Sequence, residues 1–114
     1  MGRQRISMSP AARDAARVLG QQVRFARHER RWTIAELAAR SGVSAGTVTS
    51  VEAGAPTVSV GNALNVAVAS GVPLFSITPE ELARMRRSGQ ERISLLPGRV
   101  DHPRGAGDGV NLDF

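Results

Sequence analysis

The feature that most constrains this chain is a predicted pair of short helices joined by a three-residue turn. Thr33 precedes Glu36 by three residues, which is the spacing of a capping box, and Gly42 follows the last helical residue as a C-cap. Ser44 then caps a second helix, which ends at Gly54. A compact unit of helix, tight turn and helix is a motif that contacts DNA when its second helix is exposed.

A longer helix is predicted before this pair. Ser9 provides an N-cap, Pro10 suits the first helical position, and the helical pattern runs to about Arg30. Gly20 weakens this helix by about 1 kcal/mol relative to alanine, which leaves one helix and two shorter segments both open. The expected apolar face comprises Leu19, Val23 and Ala26.

Two further helices are predicted after the pair, so the chain as a whole is expected to be all-α. Ser59 caps the first of them and Gly71 ends it. Its apolar face is predicted to comprise Val60, Ala63, Leu64 and Ala67. Thr78 and Pro79 begin the second, in which Gly89 interrupts the apolar stripe. That stripe comprises Leu82, Met85, Ile93 and Leu96.

Basic residues are concentrated in the first part of the chain. Residues 1–44 hold nine Arg against three acidic residues, a charge of +6, whereas residues 45–114 hold six Arg against seven acidic residues, a charge of −1. A basic first half favours a polyanionic partner such as nucleic acid, although it also suits ordinary solubility.

Several classes of function are not expected from this composition. Cysteine is absent, which excludes disulfides and thiolate metal sites and fits a reducing cytoplasm. No run of eighteen apolar residues is present, and no signal-peptide core follows the basic start, so we expect no membrane role. His28 and His102 lie in unrelated segments without metal-ligand spacing, so we expect no metal.

An enzymatic function is not expected either. Glu80 and Glu81 are explained by the preference of a helix N-terminus for negative charge. The glycines of residues 105–109 neither follow a strand nor open a helix, so they do not form a phosphate-binding loop. We therefore assign no catalytic residue and no cofactor.

Residues 19–75 resemble the Cro and lambda-repressor-like (XRE) helix-turn-helix family without a gap. The matching residues are Leu19, Gly20, Thr33, Glu36, Leu37, Ala38, Gly42, Val43, Ser44, Thr47, Val48, Glu52, Gly54, Gly71 and Val72. The resemblance implies a lambda-repressor-like five-helix DNA-binding domain whose third helix enters the major groove of operator DNA. The chain adds a C-terminal helix and a tail to that domain.

Four regions follow from this assignment. Residues 1–9 form a basic N-terminal arm and residues 10–76 the helix-turn-helix domain. Residues 77–96 form a C-terminal helix that contacts a dimer mate or partner, and residues 97–114, with four Gly and two Pro, form a tail that is expected to be flexible.

The resemblance also implies roles for individual residues. The base-facing positions are Ala45, Gly46, Thr49 and Ser50. The candidate phosphate contacts are Thr33, Ser44, Thr47 and Arg40. Core positions are Leu37, Ala38, Val43, Val48, Val51 and Leu64. Arg27 and Glu52 match a pair that often forms a partly buried ion bridge between the first and third helices.

Two departures from the family pattern affect DNA recognition. The residue after Thr33 is usually a glutamine that holds a phosphate, and here it is Ile34. The base-facing set also lacks any side chain for a bidentate base contact, which contributes about 1–3 kcal/mol of discrimination. We therefore expect modest direct readout, with affinity arising mainly from phosphate contacts.

Other basic and aromatic residues have two interpretations each. Arg3 and Arg5 fit either an arm that enters an A·T-rich minor groove or a solvated terminus. A solvated helix face is the expectation for Arg24, Arg30 and Arg31, and core or a helix staple for Trp32. A homodimer is expected, because pairing multiplies weak specificity. Its interface candidates, which fit an intramolecular core equally well, are Val72, Leu74, Phe75, Leu82, Met85 and Ile93.

The C-terminal segment resembles that of HipB-like antitoxins, which are XRE proteins paired with HipA-type kinase toxins. The matching residues are Leu95, Leu96, Pro97, Arg99, Val100, Asp113 and Phe114. The resemblance implies a type II toxin–antitoxin pair in which the tail binds a HipA-like kinase through its apolar anchors. Those anchors are Val110, Leu112 and Phe114. The alternatives are a stand-alone regulator without a toxin and an interaction module that has lost DNA binding.

Overall fold

A computed structural model describes residues 6–100, and within that range the chain forms five α-helices and one 3-10 turn, without a strand. The all-α prediction is confirmed. The elements are α1 (Pro10–Glu29), α2 (Ile34–Ser41), α3 (Ala45–Glu52), α4 (Val60–Ser70), the 3-10 turn (Leu74–Ser76) and α5 (Pro79–Ser94). The predicted arm residues Arg3 and Arg5, the tail anchors Val110, Leu112 and Phe114, and His102 all lie outside the described residues.

Capping hydroxyls begin the first four helices at the predicted residues. The side-chain oxygen of each cap accepts a hydrogen bond of 3.1 Å from the backbone amide three residues later. These caps are Ser9, Thr33, Ser44 and Ser59. Gly42 and Gly71 end α2 and α4 in the left-handed conformation, with φ of 71° and 88°. The local signals in the sequence therefore set the helix boundaries.

Helix α1 is one continuous helix of twenty residues, so the alternative of two segments is wrong. Gly20 is buried inside it, where α1 meets the C-terminal turn of α3. A Cβ atom on Gly20 would lie 2.4 Å from the carbonyl oxygen of Val51 and 2.5 Å from that of Glu52. Glycine is therefore required here because the two backbones approach each other closely, a packing demand that outweighs its poor helix propensity.

Helices α1 to α4 enclose a small aliphatic core, and α3 packs against the other three. The buried apolar residues are Val23, Leu37, Ala38, Val48, Val51, Val66, Ala67 and Val72. Leu19, Ala26 and Val43 pack against this core while remaining partly exposed. The apolar face predicted for α1 is therefore confirmed, and so are the core positions that the resemblance implies on α2 and α3.

The predicted face of α4 is wrong in part. Val60 and Leu64 are exposed, by 75% and 38% respectively, so Leu64 is not a core residue. The buried stripe instead includes Val66 and Ser70. Ser70 tolerates complete burial because its hydroxyl donates a hydrogen bond of 3.0 Å to the carbonyl of Ala67. A polar residue thus lies on the core face of α4. The sequence pattern placed that face on the side of Val60 and Leu64, whereas the buried side is that of Val66 and Ser70.

Helix α5 belongs to a second compact unit, which begins at Pro79, whereas the first unit ends at Thr78. It begins with the predicted acidic first turn and continues through Gly89 without interruption. None of its residues is buried, and Met85, Ile93 and Leu96 are all more than half exposed. Among residues 6–100, no helix is both long and apolar enough to cross a membrane.

The contact at Gly20 predicts the effect of a single methyl group. Gly20→Ala should lower the free energy of unfolding by about 1–3 kcal/mol, because overpacking against the α3 backbone exceeds the gain of about 1 kcal/mol in helix propensity. Gly61→Ala is the matched control, since a Cβ there meets nothing within 4 Å. Urea unfolding followed by circular dichroism measures both. Equal stability of the two variants would show that α1 and α3 are not in close contact.

Candidate nucleic-acid interface

Helix α3 presents a face of small residues to solvent. Val48 and Val51 are buried and hold the helix on the core. On the opposite side, Ala45, Gly46 and Thr49 are exposed, and Ser50 is half-buried. The predicted base-facing residues of α3 therefore share one accessible surface of the domain.

Hydrogen bonding to a base from this surface is restricted to two hydroxyl groups. The hydroxyl of Thr49 donates a bond of 3.2 Å to the carbonyl of Ala45, so its oxygen is left to act as an acceptor. An acceptor at this place suits the exocyclic amino group of adenine or cytosine, and the threonine methyl suits thymine. A single hydroxyl contact distinguishes bases less sharply than a bidentate pair, which agrees with the modest readout that the sequence predicts.

The first turn of α3 exposes backbone donors. The Ser44 hydroxyl accepts a bond of 3.1 Å from the amide of Thr47, and the two hydroxyl oxygens lie 2.9 Å apart. Within residues 6–100, the amides of Ala45 and Gly46 have no acceptor, as is normal for the first positions of a helix. These amides and the positive end of the helix dipole together attract a phosphate.

Gly46 leaves space over this turn. A Cβ atom on Gly46 would meet only the Ser44 hydroxyl oxygen, at 3.8 Å, so the fold itself does not require glycine here. The contrast with Gly20 is informative, because that glycine is needed for packing. The missing side chain of Gly46 instead allows a ligand to approach the backbone of α3.

The first turn of α2 also leaves donors available. The capping box is complete: the Thr33 hydroxyl oxygen accepts from the amide of Glu36, and the Glu36 carboxylate accepts from the amide of Thr33 at 2.7 Å. Within residues 6–100, the amides of Ile34 and Ala35 have no acceptor, and the Thr33 hydroxyl hydrogen is also left to bind a phosphate. Ile34 takes the position of the family's phosphate-binding glutamine. Its aliphatic side chain packs against the core and has no donor for a phosphate.

Arg27 and Glu52 form a bidentate ion pair between α1 and α3. The Arg27 Nε lies 2.6 Å from Glu52 Oε2, and Arg27 Nη2 lies 3.0 Å from Oε1. Both side chains are about nine-tenths buried, and the remaining guanidinium nitrogen donates a 3.0 Å bond to the carbonyl of Trp32. The hydrogen bond to Glu52 raises the pKa of Arg27 above its usual value, because it stabilises the charged guanidinium.

Arg40 extends from the last turn of α2 and stacks on an aromatic ring. Its guanidinium carbon lies 4.2 Å from the ring centroid of Trp32, and that of Arg30 lies 5.5 Å from the same centroid. Trp32 itself packs against the core, in agreement with the predicted core or staple role. Arg30 is exposed, as the sequence predicts, and it also lies over the Trp32 ring.

The candidate phosphate contacts lie on two helices. Ser44 and Thr47 touch each other at the start of α3. The backbones of Thr33 and Arg40 lie about 10 Å apart along α2, but the Arg40 guanidinium lies over Trp32, the residue before Thr33. The sequence pattern did not indicate the stacking of Arg40 on Trp32, since eight residues separate them.

Comparison with known proteins agrees with this geometry. The model of a helix-turn-helix domain family matches residues 18–75, about half of the chain, and the chain belongs to that family. No curated protein and no solved structure matches the chain. Helix-turn-helix domains bind DNA through the second helix of the motif, which here is α3. The function that this family indicates is transcriptional regulation through DNA binding.

Proposed function

We propose that the protein is a transcriptional repressor that binds its own operator as a homodimer, with α3 in the major groove. The observation that supports this most strongly is the exposed start of α3, where Gly46 and two backbone amides face solvent beside the Ser44 and Thr47 hydroxyls. Such an end binds a phosphate of the DNA backbone and brings the small face of α3 against the base edges.

Dimerisation would compensate for the weak base readout of each domain, because two half-sites on one face of DNA multiply specificity. The structure removes Val72 from the interface candidates, since it is buried in the core of its own domain. Leu74 is half-buried against that core. Phe75 is 74% exposed and therefore available to a second copy, and the exposed Met85 and Ile93 form a separate patch on α5.

We propose further that the protein is the antitoxin of a type II toxin–antitoxin pair and neutralises a HipA-like kinase. The support is the resemblance of the C-terminal segment to HipB-like antitoxins, together with the exposure of its leucines. Leu95 and Leu96 are 85% and 52% exposed after the end of α5, and Val100 is also exposed. Exposed apolar residues next to a polar segment suit a sequence that orders on a partner.

The alternative is a stand-alone XRE-family regulator without a toxin. The same exposed residues of α5 then serve dimerisation alone, and the tail has no partner. A kinase-like reading frame next to the gene favours the antitoxin, and its absence favours the stand-alone regulator.

Operator binding by α3 predicts the effect of one added negative charge. Thr47→Asp should lower affinity for a labelled duplex from the gene's own upstream region by about tenfold or more, because the carboxylate would lie beside a phosphate. An acidic residue in the first turn favours the helix, so the fold should persist. Gln22→Glu, on the exposed side of α1, adds the same charge within the same unit and is expected to change affinity less than about twofold. Equal affinities of the two variants would place α3 away from the DNA.

The antitoxin role predicts that two activities separate. Deleting residues 97–114 should abolish capture of the neighbouring kinase while leaving operator affinity within about twofold, since the helix-turn-helix domain is unchanged. Replacing Val110, Leu112 and Phe114 by serine should have the same effect without shortening the chain. A pull-down with purified kinase, followed by a fluorescence-anisotropy titration with DNA, measures both. Undiminished capture by both variants would exclude the tail as the docking element.

A further inference from the structure

Trp32 lies in the turn between α1 and α2 and is the single tryptophan of the chain. Its carbonyl oxygen accepts the 3.0 Å hydrogen bond from Arg27, which is itself paired with Glu52 on α3. Its ring packs against the core and carries Arg40 at 4.2 Å. A continuous series of contacts therefore leads from the C-terminal end of α3, through the buried ion pair, to the guanidinium of Arg40.

The two arginines on this ring are in different surroundings. The guanidinium of Arg30 lies over Gly71, the C-cap of α4, where a Cβ atom would come within 2.5 Å of its terminal nitrogen. Cations at a helix C-terminus interact favourably with its partial negative charge, so Arg30 joins the end of α1 to the end of α4. Arg30 is exposed, as the sequence predicts, and its guanidinium also lies against Gly71.

Arg40 makes no comparable contact with the end of another helix. It is exposed, and within residues 6–100 it makes no hydrogen bond and no ion pair. The guanidinium carbon of Arg40 lies 4.2 Å from the Trp32 ring centroid. A guanidinium that stacks its flat face on a ring keeps the N–H groups along its edge available. A planar edge with several donors matches the oxygens of a phosphate group.

We propose that Trp32 is a positioning residue that orients Arg40 for a bidentate contact with one phosphate of the DNA backbone; this inference rests on the proposed DNA-binding function. A free arginine loses much side-chain freedom when it binds, and a ring that already restricts it reduces that loss. Because Arg27 anchors both Glu52 and the Trp32 backbone, one buried ion pair sets the positions of α3 and Arg40 together.

Salt titration of DNA binding tests whether Arg40 contacts the phosphate and Trp32 positions it. We expect Arg40→Gln to weaken binding to a labelled operator-region duplex by about tenfold and to reduce the slope of log affinity against log salt by about 0.9, the value for one phosphate. Trp32→Leu should show a smaller loss with a reduced slope, and Trp32→Phe, which retains an aromatic face, should recover most of it. Arg30→Gln is the matched control: it should lower thermal stability but leave the slope unchanged.

Tryptophan fluorescence gives a second readout that needs no variant at position 32. In the full chain, duplex binding should change the emission of Trp32, because a phosphate on Arg40 alters the charge beside the ring. Arg40→Gln should still bind duplex and should lose this change. Emission unaltered by saturating duplex, together with an undiminished salt slope in Arg40→Gln, would overturn the proposal. If anisotropy of the labelled DNA shows no binding at all, the proposed function itself fails.

Discussion

The geometry of this domain depends on the buried ion pair between Arg27 and Glu52. Helix α3 has only eight residues, a length that is not stable alone in water, so its position must come from tertiary contacts. Glu52 contributes two of these contacts, because its carboxylate binds Arg27 while its backbone lies against Gly20. Removing one partner of such a pair costs about 3–5 kcal/mol, since the other charge is left buried and unpaired.

Because the ion pair and the buried valines hold α3 in place, the outer face of the helix is not needed for packing. Val48 and Val51 hold the inner face, and the outer face bears only small side chains and open backbone donors. A surface of this kind binds the DNA backbone more than it distinguishes bases, so affinity should depend strongly on salt. Specificity must then come from pairing of two domains or from the shape of the DNA.

Local signals in the sequence predicted most of the fold. Ser9, Thr33, Ser44 and Ser59 cap helices where expected, because the hydroxyl-to-amide bond is made within four residues and needs no tertiary context. The exposed positions on α3 followed from the family pattern. The ion pair followed from the same resemblance and not from the spacing of Arg27 and Glu52.

Three features of the packing were not predicted. Gly20 was interpreted as a weak point of α1, whereas its value lies in the approach of the α3 backbone. The core face of α4 was misplaced because Ser70, a polar residue, satisfies its hydroxyl within its own helix and is buried. Trp32 and Arg40 are eight residues apart, and only the folded turn before α2 brings the ring under the guanidinium.

In the proposed complex, the backbone of α3 approaches DNA closely at Gly46. Its sharpest test is the affinity of Gly46→Ala for duplex DNA at fixed salt. Gly61→Ala on α4 is the control, because both glycines lie two residues after a serine cap and neither added methyl group meets a close contact. Both variants should fold with equal or greater stability, since alanine favours a helix by about 1 kcal/mol over glycine. We expect Gly46→Ala to bind duplex at least about tenfold more weakly than Gly61→Ala, a difference of about 1.4 kcal/mol. Equal affinities would contradict it.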